Sequence, residues 1–190
     1  VLMEKFINDQ PLSAQELRAG LRAATIASRL QPVFCGSALH RVGVRKLMDG
    51  VLDYLPSPLD VPPVTGHRPA PAGGKGRARS PFVGAGATQP PEIVDCPCDP
   101  AAPLAAYVFK IVASKPMDLY FLRVYSGTLR SNSRIYNAAR DRRENISRLF
   151  RVFAKRRDQI DLAEAGDIVA VLGLKESLTG DTLCDPRHPV

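Results

Sequence analysis

The sequence predicts an α+β protein in two folded pieces: a helix–strand–loop–helix segment of parallel α/β type, then a small antiparallel β-barrel or sandwich. Three observations carry this reading. A short apolar run, Val33-Phe34-Cys35, sits between two stretches of helical pattern. From Ala105 onward the chain breaks into short β-rich runs separated by turn signals. Between these regions lies a tract dominated by Pro, Gly and Ala. The expected division is 1–63 for the first piece, 64–103 for a linker or insertion, and 104–190 for the barrel.

Ser13-Ala14-Gln15-Glu16 has the form of a capping box, in which the hydroxyl and the carboxylate satisfy orphan backbone amides at a helix start. A helix over 14–28 follows, with an Ala-rich, helix-forming interior. Val33-Phe34-Cys35 then reads as a buried strand, ended by Gly36-Ser37-Ala38. After Gly43, Val44, Leu47, Met48, Val51, Leu52 and Leu55 recur on one face of a second helix, closed by Pro56. Helix, strand, loop and helix in this order are a building block of a parallel sheet with helices on its faces. One strand cannot form that sheet, because a buried parallel strand needs neighbours on both edges. The remaining strands are therefore expected upstream. The start at Val1 without an initiator Met, running directly into apolar residues, agrees with a piece of a longer protein.

The prolines of Pro56-Ser57-Pro58-Leu59-Asp60-Val61-Pro62-Pro63 force an extended exit. Residues 67–103 read as flexible. Gly73-Gly74-Lys75-Gly76 lacks the spacing of a phosphate-binding loop and has no strand before it. In the β-rich part, runs are expected at 107–112, 119–125, 134–137, 144–153 and 168–174, with turns at Ser126-Gly127, Ser131-Asn132-Ser133 and Ala165-Gly166-Asp167. Thr179-Gly180-Asp181-Thr182-Leu183 is one more turn-to-strand entry.

Charge and cysteine usage narrow the function classes. A net charge of +7 over 190 residues favours a polyanionic partner. The excess is local: Arg140, Arg142, Arg143, Arg148, Arg151, Lys155, Arg156 and Arg157 are opposed within their stretch only by Asp141 and Glu144. They are the candidate nucleic-acid contacts, with a solvated, solubilising surface as the alternative. Cys35, Cys96, Cys98 and Cys184 are too few and too unevenly placed for a disulfide framework and are read as free thiols. Cys96-Pro97-Cys98 is too closely spaced for a zinc pair, and His40, His67 and His188 lack ligand spacing, so no metal site is expected. Neither a membrane span nor a signal peptide is supported, which makes a cytoplasmic location the expectation.

Three stretches together resemble bacterial elongation factor G, a ribosomal translocation GTPase. The first is Cys35-Gly36-Ser37-Ala38 with the helix leading to Asp53-Tyr54-Leu55-Pro56-Ser57-Pro58-Leu59-Asp60. The second is Phe121-Leu122-Arg123-Val124-Tyr125-Ser126-Gly127-Thr128-Leu129. The third runs from Ala165-Gly166-Asp167-Ile168 through Gly173-Leu174-Lys175 to Thr179-Gly180-Asp181-Thr182-Leu183-Cys184-Asp185. Their joint occurrence in this order is specific.

The resemblance implies the end of a GTPase domain followed by a translation-factor-type antiparallel β-barrel, the second domain of such factors. It makes Ser37-Ala38-Leu39 the last guanine-recognition loop, where a backbone N–H, by analogy that of Ala38, meets the acceptor O6 that separates guanine from adenine. It implies GTP and Mg²⁺ as cofactors of the parent, none bound to this piece, and no catalytic residue here. The phosphate loop, magnesium-binding threonine, Asp-x-x-Gly and Asn-Lys-x-Asp motifs do not occur in the sequence, so GTP hydrolysis by this piece is not expected. Implied partners are the ribosome through small-subunit ribosomal RNA and the rest of the GTPase domain. Orphaned apolar helix faces leave self-association open. Two alternatives remain: a ribosome-protection or other translational GTPase, and a stand-alone basic β-barrel that binds RNA.

Overall fold

The computed structural model describes residues 2–68, 92–113 and 117–190. The chain divides into two units, one ending at Val61 and one spanning Pro62–Val190.

In the first unit, helices α2 (Ala14–Ile26) and α3 (Val44–Tyr54) form where capping and periodicity place them, and a short helix that the sequence did not predict, α1 (Leu2–Ile7), precedes them. Ser13 Oγ accepts from the Glu16 N–H at 3.2 Å while Glu16 Oε2 accepts from the Ser13 N–H at 3.0 Å, so the capping box starts α2 as expected. Arg22 on α2 secures the end of α3. Its guanidinium donates to the carbonyls of Asp53 at 3.0 Å and Leu55 at 3.3 Å, and to the Asp60 carboxylate at 2.7 Å. These bonds satisfy carbonyls that a helix C-terminus leaves orphaned. α3 buries only Gly50, because the Phe34 ring lies where a side chain at that position would stand.

The expected strand at Val33-Phe34-Cys35 is not formed. Among the described residues up to Val61 the one β interaction is an isolated antiparallel bridge between Ser37 and Val42. The physical reason is the absence of a ladder partner: with no neighbouring strand, an apolar run has nothing with which to exchange backbone hydrogen bonds. The same lack leaves Val33 86% exposed and Leu52 80% exposed.

The second unit begins with β1 (Val64–Arg68), paired antiparallel with β2 (Glu92–Cys96) so that Val64 faces Cys96 and Arg68 faces Glu92. The ends of the tract read as linker are thus paired, while the Gly73-Gly74-Lys75-Gly76 segment lies outside the described residues. Ten further strands follow: β3 (Ala105–Val112), β4 (Leu119–Ser126), β5 (Thr128–Arg130), β6 (Ser133–Asn137), β7 (Arg142–Ile146), β8 (Arg148–Phe153), β9 (Arg156–Ile160), β10 (Leu162–Glu164), β11 (Ile168–Leu172) and β12 (Thr182–Cys184). Eight of them make one antiparallel sheet in the order β7-β6-β12-β3-β4-β11-β8-β9, and β5 pairs with β10 separately.

The sheet curls into a half-barrel around one core. The run expected at 144–153 splits at Ser147, whose N–H and Oγ both donate to the Leu172 carbonyl, at 2.8 and 2.9 Å. Edge strand β7 passes through that single residue into β8 on the other side of the sheet. The enclosed side chains include Val108, Leu122, Val124, Ile135, Ile146, Leu149, Val169, Val171 and Leu183. Along β4 from Tyr120 to Ser126 buried residues alternate with less buried ones, as a sheet with one buried face requires, whereas β11 buries Val169, Ala170 and Val171 in succession. The closing strand, β12, lies between β3 and β6, pairs with both, and fully buries Leu183 and Cys184.

Candidate functional site

The candidate guanine loop is built by a tight reversal between Cys35 and α3. Ser37 and Val42 exchange backbone hydrogen bonds at 2.9 and 3.0 Å, and Ser37 Oγ accepts from the His40 N–H at 3.2 Å. Gly43 has φ of +77°, and a Cβ there would stand 2.9 Å from the Cys35 carbonyl oxygen, so only glycine lets the chain turn into α3 here. The result presents Ala38 and Leu39 outward, Leu39 at 86% exposure, with the Ala38 N–H lacking an acceptor among the described residues. An unpaired N–H in a small-residue loop can donate to one acceptor atom of a planar ligand.

The eight basic residues fall in two hairpins. Arg140, Arg142 and Arg143 belong to the β6–β7 hairpin, and Arg148, Arg151, Lys155, Arg156 and Arg157 to the β8–β9 hairpin, at opposite edges of the sheet order. Half of them have carboxylate partners: Arg140 with Asp181 at 3.3 Å, Arg142 with Glu176 at 3.5 Å, Arg151 with Asp167 at 3.5 Å and Arg156 with Asp158 at 2.7 Å. Among the described residues, Arg143, Arg148, Lys155 and Arg157 have no carboxylate within ion-pair distance, and all four are exposed. Those four are the cations free to meet phosphate.

A buried polar node, unnoticed in the sequence, holds this region together. Glu144, 7% exposed on β7, accepts from the backbone N–H groups of Lys175 at 2.6 Å and Glu176 at 3.1 Å and from the Ser177 hydroxyl. Asp181, 5% exposed, accepts from the Asn137 amide and the Leu178 N–H, both at 2.9 Å, and from Arg140 Nε. Burial pushes the Glu144 carboxyl up, but hydrogen bonds from Ser177, Lys175, Glu176 and Asn137 outweigh it and hold the group below the ordinary carboxylate value. Tyr136, facing Arg143 across β6 and β7, is pushed up to about 12 by burial and by its hydrogen bond to Asp141. The available signal was Glu144 itself, an acid at an alternating inward position within a basic run.

The four cysteines are free thiols, with Cys96 and Cys184 buried. Among the described residues no group of three or more His, Cys, Asp or Glu could hold a metal ion, and no helix is long and apolar enough to cross a membrane.

Known proteins resemble this chain in sequence and in fold. Residues 103–186 match the family model described as elongation factor G domain 2. The whole chain is 45% identical to elongation factor G 2 of Geobacter metallireducens, 43% to elongation factor G 1 of Geobacter sulfurreducens and 40% to elongation factor G of Ureaplasma urealyticum. The match covers 100% of this chain and 25% of each relative, so the chain spans about a quarter of their length. A crystal structure from Thermus thermophilus aligns with all of this chain and 23% of its own at a TM-score of 0.63 and 21% identity, which is a likeness of fold. Residues 103–186 thus form an elongation factor G domain 2, and the chain along its whole length is similar to a quarter of an elongation factor G.

Proposed function

We propose that this chain is the segment of a translation elongation factor in which the end of a GTPase domain passes into the second, β-barrel domain. In the longer protein, GTP binding and hydrolysis, with Mg²⁺, drive translocation of tRNA and mRNA on the ribosome in the cytoplasm. The observation that carries this reading is an alignment to an elongation factor G, 45% identical overall, that spans the whole chain and so includes the α-helical unit. Relatedness confined to the barrel would have supported only a barrel module.

Within that reading, Ser37-Ala38-Leu39 forms one wall of the guanine pocket, and the exposed apolar side of α3, with Leu47, Met48, Val51 and Leu52, covers the missing parallel sheet. That exposed face also favours self-association of the isolated chain, at concentrations sedimentation can scan. Arg143, Arg148, Lys155 and Arg157 contact phosphates of small-subunit ribosomal RNA, positioning the barrel without reading sequence.

The sequence carries no phosphate-loop or magnesium-binding motif, and the isolated chain is expected neither to hydrolyse GTP nor to bind it appreciably. Titration with a fluorescent GTP analogue and a turnover assay test this; micromolar affinity or measurable hydrolysis would sink it. Co-sedimentation with small ribosomal subunits over a salt series tests the RNA reading. Binding should weaken steeply with salt, and Arg143→Gln with Arg157→Gln should reduce the slope by about one unit per lost contact. Salt-independent binding, or none, would return the basic residues to a solubilising role.

A further inference from the structure

The outer face of β3 and β4 carries a row of aromatic rings interleaved with cations. Tyr107 and Phe109 on β3 are 38% and 39% exposed. Tyr107 faces Arg123 across the strands, and the Arg123 guanidinium lies 6.0 Å from the centre of the Tyr125 ring. One step along, the Phe109 and Phe121 rings are 6.3 Å apart, and the Lys110 ammonium lies 5.8 Å from the centre of the Phe121 ring. Neither Arg123 nor Lys110 has a carboxylate partner among the described residues, and the two strands contain no Asp or Glu.

At one end this face opens into a cavity of about 670 Å³, lined by Tyr107, Tyr125, His67 and Thr182 among others. That volume falls within the range of about 300–1,000 Å³ usual for sites that bury a small planar group. The hydroxyls of Tyr107 and Tyr125 make no hydrogen bond among the described residues, so both can read the edge of a planar ligand.

We propose that the outer face of β3 and β4, from the Tyr107–Tyr125 cavity to the Phe109–Phe121 pair, stacks unpaired bases of a single-stranded RNA. Exposed rings on a sheet offer π-faces to successive bases, while Lys110 and Arg123 meet the intervening phosphates. A duplex keeps its bases stacked on one another and cannot use such rings. A second copy of this chain is a poorer occupant, because a self-complementary contact would place Lys110 and Arg123 against like charges. The inference shares with the preceding reading only the choice of RNA as partner, and it uses none of the β7–β9 cations.

The test uses the whole chain and a fluorescein-labelled, unstructured oligoribonucleotide, with the duplex of the same sequence for comparison. Tyr107→Leu with Tyr125→Leu, and separately Phe121→Leu, should each weaken binding of the single strand about tenfold. The salt slope should stay unchanged, since no phosphate contact is removed. Tyr107→Phe with Tyr125→Phe should retain most of the affinity, because the rings remain. The chain has five tyrosines and no tryptophan, so quenching of tyrosine emission by the oligonucleotide reports stacking directly. Unchanged affinity in leucine variants that melt like the parent chain would overturn the proposal, as would equal binding of the duplex. If Arg148→Gln with Arg157→Gln abolishes binding while the leucine variants do not, this inference falls and the basic-residue reading stands; binding by none overturns both. Concentration-dependent sedimentation removed by the leucine changes, without RNA binding, would assign the face to self-association and also overturn it.

Discussion

The side-chain amide of Asn137 donates to the Asp181 carboxylate at 2.9 Å, joining β6 to the turn that leads into β12. The same carboxylate oxygen accepts from the Leu178 N–H and from Arg140 Nε, so one buried group orders a loop, a strand end and a basic side chain. Asp181→Ala strands these donors without an acceptor in a site that is 5% exposed. The expected loss is about 3 kcal/mol, read as a lower urea midpoint with an unchanged denaturant slope. Asp181→Asn should recover part of it, since one side-chain oxygen still accepts.

Glu144 is expected to contribute to the acid limit of the barrel unit. Its folded-state pKa is depressed, so near the ordinary glutamate value of about 4.3 the unfolded chain binds more protons than the folded one. Stability contributed by Glu144 is therefore complete above that value and disappears as the pH falls through the lower folded-state value. Glu144→Gln should flatten the stability–pH curve in this acid window and lower stability at neutral pH, where the lost charge no longer accepts from Lys175, Glu176 and Ser177. A variant whose acid limb keeps the parent's slope would show that another group controls it.

Much of the barrel could be read from alternation alone. Leu122 and Val124 point inward while Phe121, Arg123 and Tyr125 point outward, because a one-sided sheet imposes period two on its sequence. β9 and β10 escaped that reading. Arg156-Arg157-Asp158-Gln159-Ile160 is polar edge strand held by backbone pairing with β8, and Leu162–Glu164 pairs, among the described residues, with β5 alone. Val33-Phe34-Cys35 failed for the opposite reason: its composition specifies a buried strand whose partners the chain does not carry. Among the basic residues, sequence found the cluster but could not separate Arg140, bound to a buried carboxylate contributed from far along the chain, from unpaired Arg157.

Leu122 should show where the stability of the barrel unit resides. It is fully buried among Val108, Val124, Val169 and Val171, so Leu122→Ala removes contacts on every side and leaves a cavity. The expected cost is about 2–5 kcal/mol. Leu39→Ala, at a side chain 86% exposed, should stay within about 0.5 kcal/mol of the parent. Chemical denaturation of both variants, followed by β-sheet circular dichroism, makes the comparison.

Two glycines separate the cost of backbone strain from the cost of steric contact. Gly180 has φ of +102° with nothing within 4 Å of the position a Cβ would take, whereas Gly43, at φ of +77°, would place a Cβ 2.9 Å from the Cys35 carbonyl oxygen. Gly180→Ala therefore meets only the left-handed penalty of about 1–2 kcal/mol. Gly43→Ala meets a similar penalty and must also push Cys35 away, which opens the turn that presents Ala38 and Leu39 and removes the starting geometry of α3. Amide exchange resolved by residue should show faster exchange across Val44–Tyr54 in Gly43→Ala, with β3 and β12 unaffected. In Gly180→Ala the change should instead be confined to the turn before β12. Equal exchange in α3 for both variants would mean that the Gly43 turn does not hold the loop.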